Sequence, residues 1–328
     1  MSAQGRESLR RLQGSLRDAL GARILEALAD AAVVEIMLNP DGKLFEERVG
    51  VGMRQISEMS ADDAQVVIGL VAHVLKSEVD KSRPIVSGEL PLTGERFEGL
   101  LPPVVTRPVF AIRKRAILVF ELDDYVSNGI MTVDQARVIR EAVGERLNII
   151  VSGGTGTGKT TLTNAVIAEI VRVAPEHRLL ILEDTAEIQC TAENAVFLHT
   201  SDHVDMQRLL KSCMRLRPDR IIVGEVRDGA ALTLLKAWNT GHPGGIATVH
   251  ANSAVAALTR LEQLTSEASS QPMQAVIGEA VDLVVSIERT AKGRIVRDLL
   301  RVNGFRNGEF EFCPVLVAEI PGRIHAVV

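Results

Sequence analysis

Leu147-Asn148-Ile149-Ile150-Val151-Ser152-Gly153-Gly154-Thr155-Gly156-Thr157-Gly158-Lys159-Thr160-Thr161 is the stretch that decides the fold. An apolar run leads into a glycine-rich turn, and the periodic Leu162–Val171 that follows reads as a helix. From Gly153 the turn satisfies the phosphate-loop pattern G-x-x-x-x-G-K-[ST]. Glycines at these positions let backbone N–H groups turn inward around phosphate oxygens, and the helix start adds a positive dipole. Gly153, Gly154, Thr155, Gly156, Thr157, Gly158 and Thr161 are therefore read as the cradle, Lys159 as the cation on the β- and γ-phosphates, and the Thr160 hydroxyl as a Mg²⁺ ligand. The motif implies a nucleoside triphosphate and says nothing of what its energy drives.

Working outward, the chain alternates short apolar strands with helices: Leu179–Asp184, a helix near 203–215, Arg220–Glu225, then a helix near 228–240. Such alternation indicates a parallel sheet covered on both faces. Two of these strands end in carboxylates. Glu225 follows Ile221-Ile222-Val223-Gly224, where a carboxylate can hold the metal or orient an attacking water, and Glu183 is the other candidate base. Two acidic strand tips side by side repel unless a cation sits between them. Thr240–Asn252 places His242 and His250 in a glycine-rich stretch, with His250 closing the strand-like Ile246–Val249 as a candidate donor to the γ-phosphate. The last fifty residues read as β-hairpins turning at Ala291-Lys292-Gly293 and Arg306-Asn307-Gly308.

Towards the N-terminus the pattern differs. Leu9, Leu12, Leu16, Leu20, Ile24 and Leu28 fall at helical steps; such a helix either packs on its own domain or a neighbouring subunit, or rests with Arg10, Arg17 and Arg23 on anionic lipid. Strand-like runs flank Asn39-Pro40-Asp41-Gly42, Ser60 offers an N-cap to a helix running to about residue 77, and 84–115 is strand-like again. These features predict an α+β domain over 1–122, a linker over the polar 123–129, and the nucleotide domain over 130–328.

The chain has 328 residues, 46% of them hydrophobic and 24% charged, which excludes disorder as the main state. Lys plus Arg number 37 against 42 Asp plus Glu, a net charge of −5, and aromatics are only 3%; both argue against a nucleic-acid-coating protein with a base-stacking platform. Three cysteines without metal spacing fit a reducing cytosol, and no apolar stretch approaches a membrane span.

The four segments GGTGTGKTT, LEDTAEI, IIVGEVRDGAA and TGHPGGIATVHANSA, in this order, resemble the Walker A loop, acidic box, Walker B and His box of the secretion-ATPase superfamily, with GERFEGLLPPV and FAIRK agreeing more loosely upstream. Within it the chain looks most like the conjugative transfer ATPases of type IV secretion, the TrbB group in particular. The resemblance implies an α/β fold: a RecA-like P-loop NTPase domain with a mostly parallel sheet, preceded by a smaller α+β, PAS-like N-terminal domain. It implies an ATP- and Mg²⁺-dependent homo-hexamer in the cytoplasm, in peripheral contact with the inner membrane and with inner-membrane components of a conjugation machine, and without sequence-specific nucleic-acid binding. Arg96 in GERFEG and Arg113 in FAIRK match arginines that reach the phosphates from the first domain, while Arg227 and His242 are further nucleotide-site candidates. A type II secretion or type IV pilus motor, a RecA-like nucleic-acid motor and a non-hydrolysing scaffold are the alternatives.

Overall fold

The computed structural model describes residues 3–48, 51–91, 93–114, 120–201, 203–291 and 293–317, and the chain divides into two compact units, Met1–Ile117 and Leu118–Val328. The first contains α1 (Ala3–Ala29), β1 (Val33–Leu38), β2 (Lys43–Arg48), β3 (Gly52–Glu58), α2 (Ala61–Val74), β4 (Ile85–Glu89), β5 (Arg96–Leu100) and β6 (Val109–Arg113). Its six strands form an antiparallel sheet in the order β3-β2-β1-β6-β5-β4. Leu16, Leu20, Ile24 and Leu28 of α1 and Val67, Ile68 and Val71 of α2 are buried with Ile36, Phe97, Phe110 and Ile112 in one core. Of the two fates open to the α1 stripe, its described part thus packs on its own unit; the side chain of Leu9 lies outside the described residues. Ser60 caps α2 as its sequence predicts, accepting from the Asp63 amide at 3.1 Å.

The opposite face of this sheet carries charge. Register sets Glu47 against Glu35, Glu35 against Arg113, Arg113 against Arg96 and Arg96 against Glu89, a row running across five strands. Glu35 is half-buried within it, and burial raises its pKa against the opposing pull of Arg113.

The second unit runs α3 (Leu122–Ser127), α4 (Val133–Gly144), β7 (Ile149–Gly153), α5 (Lys159–Val173), β8 (Leu179–Glu183), β9 (Ala195–His199), α6 (Met206–Cys213), β10 (Arg220–Val223), α7 (Ala230–Asn239), β11 (Ile246–His250), α8 (Ala254–Ser266), α9 (Gln274–Ala280), β12 (Leu283–Thr290), β13 (Gly293–Arg306) and β14 (Glu309–Val317). The sheet order is β14-β13-β12-β7-β11-β10-β8-β9. From β9 to β12 all neighbours are parallel, and β12-β13-β14 close the edge antiparallel. Every residue of β7, β8 and β10 is buried, as strands covered on both faces should be. One face packs on α6 to α9, the other on α3 to α5. The mostly parallel α/β fold is as expected.

One expectation needs correction. Residues 123–127 of the expected 123–129 linker lie in helix α3, which belongs to the second unit: Asp124, read as part of a polar connector, forms a capping box with Glu121, while Leu122 and Tyr125 are buried. The C-terminal hairpins extend the main sheet, because β12 pairs directly with the phosphate-loop strand β7. The turn at Arg306-Asn307-Gly308 is present, with Asn307 and Gly308 both at positive φ, whereas Lys292 of the other turn lies outside the described residues.

Candidate nucleotide site

β7 delivers the chain into the glycine-rich turn at the carboxyl edge of the sheet, and α5 begins at Lys159. Gly156 and Gly158 sit at φ 70° and 98°, conformations that side chains resist. Gly153 is needed for space: a Cβ there would stand 2.5 Å from the Ile287 carbonyl and from Thr157 Oγ1. Thr157 Oγ1 donates to the Gly154 carbonyl at 3.0 Å, and Lys159 Nζ donates to the carbonyls of Gly153 and Gly154 at 2.9 and 3.0 Å. Each glycine and threonine of the motif, with Lys159, Thr160 and Thr161, is thus gathered around one turn.

The acidic strand tips do different things. Glu183 ends β8 only 3% exposed, and its Oε1 accepts the amides of Glu187 and Ile188 at 3.0 and 2.8 Å. This folds 184–188 back toward α5, where the Thr160 hydroxyl donates to Glu187 Oε2 at 3.3 Å. Gly224 lies against Glu183, since a Cβ at 224 would be 3.0 Å from its Cγ. Glu225 is more open, and its Oε2 accepts Arg227 Nε and Nη2 at 2.9 and 2.6 Å. Arg227 Nη1 also lies 3.3 Å from Asp184 Oδ2. This guanidinium bridges Glu225 and Asp184; burial pulls its pKa down, and the Glu225 bonds outweigh that and hold it up.

His250 ends β11 in register with Gly153 of β7, and its Nε2 is 3.7 Å from Glu225 Oε1. Burial and the Lys159 charge hold its pKa below the usual histidine value, favouring the neutral imidazole. Thr248, two residues earlier, is buried, and its hydroxyl donates to the Gly224 carbonyl at 2.6 Å; the Val226 amide donates to the Thr248 carbonyl at 2.9 Å. The His-box strand is therefore stitched to the Gly-Glu turn. His242 departs from expectation. It precedes β11, at the edge of the sheet away from the phosphate loop, and its Nδ1 lies 3.3 Å from the Pro218 carbonyl. The length of β11, roughly 13 Å at about 3.3 Å per residue, separates the two histidines within one unit.

Thr160, Glu187 and Glu225 offer hard oxygen donors of the kind Mg²⁺ takes alongside phosphate and water. Glu187 lies within the acidic-box segment LEDTAEI, and its contact with Thr160 depends on a fold-back that spacing alone does not reveal. Arg96 and Arg113 stand opposite each other in the first unit's sheet.

Residues 24–303 match the family described as Type II/IV secretion system protein. The chain belongs to that family. Among relatives of this secretion family, it is 68% identical over 301 residues to a probable conjugal transfer protein TrbB of Sinorhizobium fredii, covering 92% of this chain and 93% of that one. It is 66% identical over 301 residues, with the same coverage, to conjugal transfer protein TrbB of Rhizobium radiobacter. The fold is shared with the ATPase DotB of Legionella pneumophila at a TM-score of 0.60 and 18% identity, over 85% of this chain and 78% of that one. The resemblance to secretion ATPases of the TrbB group is borne out.

Proposed function

We propose that the chain hydrolyses ATP with Mg²⁺ and, as a homo-hexameric ring, powers pilus assembly or substrate translocation in a conjugative type IV secretion system, with inner-membrane components as its partners. The observation that carries the reading is the phosphate loop with Lys159 and Thr160 facing acidic strand tips and His250 on one sheet edge. Relatives named for conjugal transfer at 66–68% identity support the biological setting.

In this reading Lys159 exchanges its bonds to the loop carbonyls for the β- and γ-phosphates, and the 153–161 amides bind the diphosphate. Thr160 with Glu187 or Glu225 would hold Mg²⁺, which would neutralise charge developing on the phosphates. Glu225 is the better candidate for orienting water, because Glu183 is committed to two backbone amides and so acts by holding the Glu187 segment in place. Freeing Glu225 requires Arg227 to leave it, which makes Arg227 available to phosphate oxygens. Neutral His250 donates to the γ-phosphate and senses its loss. Arg96 and Arg113 contribute guanidinium groups when the first domain closes, coupling nucleotide state to movement.

Phosphate release with ATP and Mg²⁺, measured beside native mass, tests this. A six-membered assembly is expected, with turnover abolished by Lys159→Ala and by Glu225→Gln, the latter retaining ATP binding. Wild-type-like turnover in Lys159→Ala sinks the site assignment. DNA-stimulated hydrolysis with salt-sensitive DNA binding would instead indicate a nucleic-acid motor.

A further inference from the structure

The phosphate loop has a neighbour that the motif does not contain. Arg294 lies at the start of β13, paired with Arg289 across the β12-β13 ladder. The same hairpin backs the loop through Ile287, whose carbonyl faces Gly153 and whose Cδ1 faces Gly158. Arg294 Nη2 donates to the Gly156 carbonyl at 3.4 Å, a long bond on an exposed side chain. Its Cδ and Nε would lie 3.2 and 3.4 Å from a Cβ placed on Gly158. One side chain therefore flanks both left-handed glycines of the cradle.

The root of this arm is fixed. The Val296 amide donates to the Ile130 carbonyl at 2.7 Å, and Gln135 Nε2 donates to the Val296 carbonyl at 3.0 Å, so β13 is tied to the start of α4 two residues beyond Arg294. Buried Tyr125 of α3 faces the same guanidinium electrostatically, its own pKa pushed up by burial.

In a planar trans peptide the carbonyl and the following N–H point in opposite directions. A guanidinium that holds the Gly156 carbonyl on the outside of the loop therefore turns the Thr157 N–H to the other side, into the cradle. We propose that Arg294 is a positioning residue of the nucleotide site: it fixes the 156–157 peptide with its N–H toward the diphosphate, so that the C-terminal hairpin tunes affinity for the β-phosphate. This rests on the ATP reading above, and it concerns binding rather than the chemical step. Ligands that carry a β-phosphate should feel the loss of Arg294, and ligands without one should not.

The test is displacement of a fluorescent ADP from the full chain by ADP, pyrophosphate and AMP, using Arg294→Ala, Arg294→Lys and Lys159→Ala. Losing one hydrogen bond of this kind predicts that Arg294→Ala weakens ADP and pyrophosphate by about three- to tenfold. AMP binding and the melting temperature stay at wild-type values, KM for ATP rises in step, and kcat holds. Arg294→Lys falls between, since an ammonium keeps charge but not the fork. Unchanged ADP and pyrophosphate affinity in Arg294→Ala, with Lys159→Ala losing both, overturns this inference and leaves the ATP reading intact. Equal weakening of AMP overturns it too, because the side chain then acts on the unit at large. Wild-type protein that binds none of the three overturns the proposed function and this inference together.

Discussion

Replacing Thr248 by valine preserves the shape of the side chain and deletes one donor. The hydroxyl donates to the Gly224 carbonyl at 2.6 Å from a residue only 2% exposed, so the substitution leaves that acceptor facing a methyl group. An unmet buried acceptor costs about 1–3 kcal/mol, offset by up to about 0.8 kcal/mol for the added buried methyl. With the full offset, a net loss of about 0.2–2 kcal/mol lowers the melting temperature of a unit of about 200 residues by up to roughly 6 °C. Activity should suffer more than stability suggests, because Gly224 is the residue before Glu225 and the hydroxyl is one of two bonds fixing that turn to β11. Displacing a water-orienting carboxylate by a fraction of an ångström predicts about a tenfold fall in kcat, with ATP affinity unchanged. Thr248→Ser keeps the donor and loses the methyl, so it should retain turnover while melting somewhat earlier. Calorimetry and steady-state phosphate release on the three proteins decide the matter. If valine and serine variants lose kcat equally, or the valine variant matches wild type in both assays, the stitch between the His box and the Gly-Glu turn has no functional weight.

Gly245→Ala should be severe: its Cβ would run into the Trp238 indole nitrogen and stand 2.6 Å from the Ile221 carbonyl, and overpacking of this kind costs about 1–3 kcal/mol or more. A variant melting with wild type would refute that packing. A third prediction concerns acid. His177 Nδ1 accepts from buried Arg220 Nε at 3.1 Å, and burial with the charges of Arg220 and Arg146 depresses its pKa. With the unfolded pKa near about 6.5, the stability it contributes is present above that pH and is lost as pH falls toward the lower folded value. Unfolding midpoints at about pH 7.5 and 5.5 should separate more for wild type than for His177→Gln, and equal separations would exclude the histidine as the source.

Much of the second unit is legible because its chemistry is local. The phosphate loop is one contiguous stretch, and strands buried on both faces read as unbroken apolar runs, as Leu179–Leu182 and Ile221–Val223 do. What escapes the sequence depends on neighbours distant in the chain. Nothing in Leu283–Thr290 says that it will pair with β7 rather than stand apart as a hairpin, because pairing partners are chosen by the packed sheet. The polar 123–129 segment misleads because acidic residues in the first turn of a helix look like those of a linker. In the site, Lys159 and Thr160 follow from spacing, whereas the clamp of Arg227 between Glu225 and Asp184 arises only once β8 and β10 lie side by side. His242 shows the converse: a motif residue can share a stretch with His250 and still end up beyond the opposite end of β11.

The charged row in the first unit has a consequence for how that unit finds its fold. Glu35, Arg96 and Arg113 alternate with Ile36, Phe97 and Ile112, which are wholly buried. Sliding one strand by a single residue would drive guanidinium or carboxylate groups into the greasy side and turn phenylalanine and isoleucine out to water. Misalignment there carries its own penalty, so the same ion ladder that presents two arginines also proofreads the weave that places them.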